Sequence, residues 1–258
     1  MAQPKTKKGT TMRQKSSSLL GLFIAIGLVG GAFVLGQQFK NLRQPSTITV
    51  KGLSEKPYSA DLAEWHISTT TAGDTYQAAI DGLKASQPTL DAFLNQQGFD
   101  KTQRRLGPMT VEPTYEQVYN AEQQRTLSVQ NGYAATQGLV ITDADVQKIA
   151  TAQKQALEFK AQQPQFDFAP PLYLLNNLET IKHSLIASAT EDAHKRATEF
   201  AKTGQVTVGT MRTASQGSFN ILSDQASQQD AESWGGEYDK STINKLVRLV
   251  VTIEYDIR

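Results

Sequence analysis

The sequence predicts an α+β fold: an antiparallel sheet with long helices packed on one face, preceded by one transmembrane helix. Three observations support this prediction. Residues 16–39 contain no charged side chain. Residues 243–257 alternate between apolar and polar side chains, which is typical of a strand with one covered face. Residues 178–200 repeat apolar side chains at helical spacing.

Residues 16–39 are predicted to form a membrane anchor. A helix of that length is long enough for the ~30 Å hydrocarbon core of a bilayer. Basic residues precede the segment without any acid, because the first acidic residue of the chain is Glu55. The positive-inside rule therefore makes residues 1–15 a cytoplasmic basic tail and puts everything after Lys40 across the membrane. The expected location is the inner membrane of a bacterium, in a single pass, with the domain in the periplasm.

A cleaved signal peptide is the alternative to an anchor. The best match to a small-residue cleavage site is at residues 30–32. These residues lie inside the apolar run, so the anchor is favoured.

The composition limits the classes of function. Residues 1–40 hold six of the 26 basic side chains and none of the 25 acidic ones, so the remaining chain is mildly acidic. It has no basic stripe, and we therefore expect no binding to nucleic acid. The chain has no cysteine, which excludes disulfides, thiol nucleophiles and cysteine metal sites.

The first strands after the linker are predicted from residues 47–50 and 58–71. In the longer segment the apolar positions change parity between Leu62 and Ala63. Because side chains alternate along a strand, this change indicates a bulge or a strand start near Asp61.

A helix is predicted next, with Asp74 as its N-cap and Gly98 just past its end. Pro88 lies inside the helical pattern. Since proline removes a helical hydrogen bond, we expect a kink or two pieces there, with Ser86 as a second cap.

Residues 109–141 predict a long hairpin whose loop lies at residues 120–125, because apolar and polar side chains alternate on both sides of that loop. Gly132 and Gly138 are interpreted as bulges. Asp143 or Asp145 then caps a helix that stops before Pro164.

Residues 166–174 are predicted to form a short edge strand, since they contain two prolines. In the long helix that follows, Asn176 and Glu179 resemble a capping box, and Gly204 closes its end. Its predicted buried stripe is Leu178, Ile181, Leu185, Ala189, Ala193, Ala197 and Phe200.

Residues 206–214 and 219–222 read as strands, and residues 223–240 form a long polar loop. The last strand, residues 243–257, should be central to the sheet. We expect Leu185 of the long helix and Val251 of this strand to be buried.

No catalytic signature is found, and no metal, cofactor or enzymatic activity is predicted. His183 and His194 share one predicted helix, but a rise of 1.5 Å per residue puts them ~16 Å apart, too far to bind one metal ion. His66 is interpreted as a partly exposed strand residue.

The candidate interaction residues are Trp234, Gly236 and Tyr238 in the long polar loop. A loop of this length is either mobile or functional, and aromatic residues are enriched at interfaces. Docking of the loop onto its own domain is the alternative interpretation.

Four stretches of the chain resemble the SIMPL family of bacterial, mostly extracytoplasmic proteins. They are ITVKGLSEKPYSADLAEWHIS from Ile48, NGYAATQGLVI from Asn131, ATEDAHKRATEFAKTG from Ala189 and the closing LVRLVVTIEYDI. The resemblance covers about residues 46–258. It implies an α+β domain without known catalytic residues, a place in envelope and oxidative-stress physiology, and, in some relatives, assembly into rings.

The sequence thus favours a membrane-anchored envelope protein that acts through self-association or protein contact. We expect a homo-oligomer. The sequence does not identify a partner protein. The alternative is an enzyme or a small-ligand-binding periplasmic protein with an unrecognised site, using His66 or the acidic loop.

Overall fold

The computed structural model describes residue 2 and residues 24–36, 46–225 and 236–258. The described domain contains three α-helices, one short 3-10 helix (Lys101–Gln103) and eight strands. The helices are α1 (Tyr76–Gln96), α2 (Val146–Gln162) and α3 (Leu178–Thr203). The strands are β1 (Thr47–Ser59), β2 (Leu62–Gly73), β3 (Arg104–Asn120), β4 (Arg125–Asp143), β5 (Phe166–Phe168), β6 (Leu172–Leu174), β7 (Val208–Ser223) and β8 (Asn244–Ile257).

The strands form two sheets, whereas the sequence predicted one. The three-stranded sheet has the order β1-β8-β7, and the five-stranded sheet has the order β3-β4-β2-β5, with β6 also paired to β2. All strand pairings within them are antiparallel. The chain changes sheet between β1 and β2, at Ala60 and Asp61, so the parity change in the sequence marks a strand start. Side chains before and after that point face different cores.

The three-stranded sheet has α3 on one face. β8 is its central strand, as predicted, and its inward residues Val247, Leu249, Val251, Ile253 and Tyr255 are buried. The expectations for Leu185 and Val251 are confirmed, since they are 0% and 4% exposed. The opposite face of this sheet is polar, with pairs such as Arg248 and Glu55 across its strands.

Small residues let α3 approach β1 closely. Ala189, Ala193 and Ala197 are fully buried against the sheet, and a Cβ atom on Gly52 would lie 2.0 Å from the Ala189 carbonyl oxygen. The predicted stripe is wrong at its end, because Phe200 is 62% exposed and Ala201 is buried instead.

The N-terminus of α3 also differs from the prediction. Its N-cap is Asn177, without a side-chain capping bond, and Glu179 pairs with Lys182, so the capping box is absent. Its C-terminal cap is Gly204, as predicted.

The five-stranded sheet packs against α1 and α2 around Trp65. Trp65 is fully buried, and its Nε1 donates a hydrogen bond to the Ala169 carbonyl oxygen at 2.9 Å. Phe99 and Phe166 are, with Trp65, the largest fully buried side chains of this core. The predicted edge strand of residues 166–174 is two three-residue strands, β5 and β6, interrupted at the prolines.

The N-terminal cap of α1 differs from the prediction. Thr75 caps α1, since its side chain accepts a hydrogen bond from the Ala78 amide, and Asp74 does not cap it. α1 is one uninterrupted helix through Pro88. Ser86 is no second cap, because its hydroxyl donates to the Leu83 carbonyl within the helix.

Asp145 caps α2, accepting hydrogen bonds from the amides of Gln147 and Lys148. β7, predicted as two strands, is a single strand of 16 residues whose register with β8 shifts at three places.

Residues 24–36, inside the predicted anchor, are helical and exposed. The rest of residues 16–39 lies outside the described residues, as does the tail of residues 1–15 apart from residue 2. In the described part of the chain, no helix combines the length and the apolar character that crossing a membrane requires.

Candidate interaction surfaces

The predicted interaction residues fall at the end of the long polar loop. Trp234 lies outside the described residues, and Gly236 is exposed. Tyr238 is half-buried at the edge of the core between α3 and the three-stranded sheet. Its hydroxyl accepts a hydrogen bond of 2.8 Å from the Leu175 amide. The side chain of Tyr238 is therefore held by its own domain, while an interaction role for the three residues stays a prediction.

The backbone around Tyr238 is also held in place. The amide of Ile221 in β7 donates to the Glu237 carbonyl, and the Asp239 amide donates to the Ile221 carbonyl, both at 2.7 Å. The Glu237 amide donates to the Oδ1 atom of Asn220, which is fully buried. This end of the loop thus runs beside β7 as a fixed segment.

A buried lysine binds the backbone at the end of the same segment. Lys245 is 0% exposed, and its Nζ donates to the carbonyl oxygens of Asp239 at 2.6 Å and of Thr242 at 2.7 Å. Burial lowers the pKa of Lys245. Although burial acts to raise the pKa of Asp239, hydrogen bonds from Ser241 and Thr242 and the nearby ammonium hold it well below its ordinary range.

The ammonium group thus ties the turn before β8 to the strand. The sequence did not identify Lys245 as a buried residue. The available signal was its place in the inward-facing phase of β8, where the other residues are apolar.

His66 lies on the open face of the five-stranded sheet, beside a shallow cleft of about 210 Å³. Its Nε2 atom is 3.9 Å from the Glu64 carboxylate, and its side chain is 47% exposed. Asp167, on the wall of the cleft, pairs with Lys160. The described residues contain no group of three potential metal ligands, so the cleft offers one exposed imidazole beside carboxylates.

The outer part of the β3–β4 hairpin consists mostly of exposed residues. β2 pairs with β4 only as far as Gly73, opposite Tyr133. Beyond that point β3 and β4 pair only with each other among the described strands. We call residues 114–131 the distal ribbon.

Apolar side chains are exposed on both faces of the distal ribbon. Tyr115 and Tyr119 are 58% and 64% exposed and lie on one face with the polar residues opposite them in β4. Val118 and Val129 lie on the other face and are also exposed. Neither face of the ribbon is covered within the described structure, although each face carries apolar side chains.

At the base of the ribbon, Gly132 packs closely against the backbone of Gly73. Gly132 is buried with a φ of 150°, and a Cβ atom there would lie 2.8 Å from the Gly73 carbonyl oxygen. The register of β3 and β4 shifts beside it, between Thr114 and Tyr115, which confirms the predicted bulge. At Gly138 the irregularity lies in the opposite strand, because two residues of β3 face this one position. The ribbon therefore leaves the sheet at a defined point.

Sequence analysis predicted the hairpin but not the exposure of its outer half. The alternation along the hairpin does not show it, because the exposure arises from strand lengths in the structure: β3 and β4 have 17 and 19 residues, whereas β2 has 12.

Comparison with known proteins yields one family. No curated protein shows significant similarity to the chain. The SIMPL family model, described as protein of unknown function (DUF541), matches residues 48–250. This match spans both sheets and all three helices of the domain. Because it covers well over half of the chain, the protein belongs to the SIMPL family.

Proposed function

We propose that this protein is a membrane-tethered envelope domain that works by self-association through the distal ribbon, without catalysing a reaction. The exposed ribbon is the observation that carries the proposal. A role in the envelope or oxidative-stress response belongs to the proposal as well, and it is supported by the family resemblance alone.

The energetics of the ribbon support a binding role. An isolated two-stranded hairpin is marginally stable in water, because it buries little apolar surface. Each ordered residue costs roughly 1 to 2 kcal/mol of backbone entropy. Tyr115, Val118, Tyr119 and Val129 remain exposed on a segment that must offset this cost. Strand pairing and the side-chain contacts made on association would supply additional stabilisation.

A second copy of the chain is the occupant that fits this surface. The distal ribbon contains Glu116, Glu122 and Arg125 as its charged residues, so two ribbons repel each other weakly. Copies held in one membrane meet at a raised effective concentration, so a modest interface is enough.

The tether is supported by the sequence of residues 16–39, which has no charge and follows a purely basic tail. The helical conformation of residues 24–36 is compatible with it. On this proposal the N-terminus lies in the cytoplasm and the domain in the periplasm.

The oligomer mass of the full-length protein in mild detergent tests self-association. The wild-type protein should be larger than a monomer, and Tyr115→Ser with Tyr119→Ser should reduce it to a monomer with little change in melting temperature. The matched control is Leu157→Ser with Phe200→Ser, which removes two apolar side chains of similar exposure outside the ribbon. A monomeric wild-type protein, or a ribbon variant with wild-type mass, would refute the proposal.

The tether is tested separately by topology. A reporter that is active only outside the cytoplasm should give signal when it is fused after Arg258. Signal from the same reporter at the N-terminus instead would contradict the proposed orientation.

The ligand-binding alternative is supported less well. The cleft beside His66 is shallow, its imidazole is half exposed, and its acidic wall residue Asp167 already pairs with Lys160. Ligand pockets usually bury most of their ligand in a concave, mainly apolar site.

A further inference from the structure

We infer that two copies of this chain join their five-stranded sheets edge to edge, by antiparallel pairing of residues 114–120 with the same residues of the second copy, about a two-fold axis at Gln117. This inference rests on the proposed self-association and specifies its geometry.

The other long edges are protected against such pairing. At β1 the amide of Leu53, in the middle of the strand, donates to the Asp192 carboxylate of α3 at 2.9 Å, so the helix occupies this edge there. β7 carries three register shifts, and bulged edges pair poorly. β5 and β6 have three residues each. β3 is the remaining edge strand, and it is 17 residues long.

Within β3 the free edge is limited to seven residues. Pro113 has no amide hydrogen and ends any pairing on one side. The turn of residues 121–124 ends it on the other. The segment between them, residues 114–120, contains no proline, and its midpoint is Gln117. In an antiparallel pair about this midpoint, Pro113 of each copy falls opposite Ala121 in the turn of the other, so the two limits coincide.

The opposite edge of the ribbon is less accessible. β4 is bordered at the base of the ribbon by the end of β2, where the chain continues from Gly73 into α1. Tyr76, in the first turn of α1, packs against Tyr133 of β4 with ring centroids 5.8 Å apart. An approaching strand would meet this helix start along β4 but not along β3.

The side chains suit this register. Pairing about Gln117 puts Tyr115 of each copy opposite Tyr119 of the other, and aromatic cross-strand pairs are favourable. All four rings then share one face, because residues directly opposite lie on the same side of a sheet. Glu116 falls opposite Val118. A shift of the axis to Glu116 would instead oppose two carboxylates, which is unfavourable.

The absence of cysteine from the chain allows a direct test with single substitutions. Gln117→Cys introduces one thiol at the proposed two-fold axis. Opposed residues in antiparallel strands have Cα atoms ~4.5 to 5.5 Å apart, within the range of a disulfide. The matched control is Ser128→Cys, because Ser128 is the residue opposite Gln117 in β4 and is likewise exposed.

Full-length protein in mild detergent is oxidised with copper phenanthroline and analysed without reductant. Gln117→Cys should form a disulfide-linked dimer, and Ser128→Cys should remain uncrosslinked. A second test uses Tyr115→Cys and Tyr119→Cys. A mixture of these two proteins should crosslink, whereas either alone should not, since four residues of strand separate like positions by ~13 Å.

The outcomes separate this inference from the proposed function. A wild-type oligomer whose Gln117→Cys form fails to crosslink, or whose Ser128→Cys form crosslinks equally well, would overturn the register while leaving self-association intact. A monomeric wild-type protein would refute the self-association itself. Crosslinking of Tyr115→Cys alone would also overturn the axis at Gln117.

Discussion

Replacing Gly52 by alanine should strongly destabilise the three-stranded sheet and its helix. The added Cβ atom would lie 2.0 Å from the Ala189 carbonyl oxygen, 2.7 Å from the Ala193 amide nitrogen and 2.8 Å from the Ala193 Cβ atom. These atoms belong to the backbone of α3 or directly adjoin it. They cannot move aside by a side-chain rotation, so the helix itself must shift.

The size of the effect follows from that shift. The contact to the Ala189 oxygen must lengthen by at least 1.0 Å to reach 3.0 Å, below which real Cβ contacts are essentially never found. A gap of 0.5 to 1 Å already loses about a quarter to a half of a van der Waals well. Leu185, Ala189 and Ala193 are fully buried and would lose contacts with the sheet together. We expect a loss near the upper end of the overpacking range, about 3 kcal/mol.

Thermal unfolding of the full-length protein in mild detergent, followed by circular dichroism, measures this effect. At this chain length the expected loss lowers the melting temperature by about 6 to 12 °C. Gly138→Ala is the matched control, since Gly138 is also a strand glycine without positive φ and its added Cβ would meet no atom within 4 Å. A Gly52→Ala melting temperature equal to wild type, or an equal loss in Gly138→Ala, would refute the reasoning.

Three further predictions concern the core, a helix cap and the buried turn. Val251→Ala should cost roughly 2 to 4 kcal/mol because it opens a cavity in the central strand, and an unchanged unfolding midpoint would contradict this. Thr75→Ala should cost ~1 kcal/mol through loss of the α1 cap, whereas Asp74→Ala should cost much less; equal losses would show that the cap is not specific. The pKa of Asp239 lies below its ordinary value of about 3.9, so its contribution to stability is present above that pH and is lost as the pH falls below it. Denaturation midpoints measured down the acid limb should therefore fall less steeply in Asp239→Asn than in the wild-type protein, and parallel curves would refute this role.

Local elements were predictable where periodicity and a single residue type determine them. The alternation along β8 identified a central strand with one buried face, and Val251 is buried accordingly. The stripe of α3 was correct through Ala197. It failed at Phe200 because the buried face continues at the four-residue spacing of the preceding alanines, which reaches Ala201 and leaves Phe200 on the exposed side of the helix.

The candidate surface was less predictable than the fold. The aromatic residues of the polar loop attracted the interaction hypothesis, yet Tyr238 is bound to the Leu175 amide of its own domain. Tyr115 and Tyr119 resembled ordinary strand residues in the sequence. Their exposure depends on where a different strand, β2, ends, and no pattern within β3 contains that information.

The sequence by itself determined the type and order of most elements, because helical and strand periodicities are local and repeat within a few residues. It also determined the uncharged segment of residues 16–39 and the family. Tertiary structure alone decided that the strands divide into two sheets, that Lys245 is buried, and that Gly52 must lack a side chain. Each of these depends on a contact between residues far apart in the chain, as when β1 meets α3 across more than a hundred residues. The distal ribbon is exposed for the same reason, since β4 extends beyond the end of β2, the strand that pairs with its inner half.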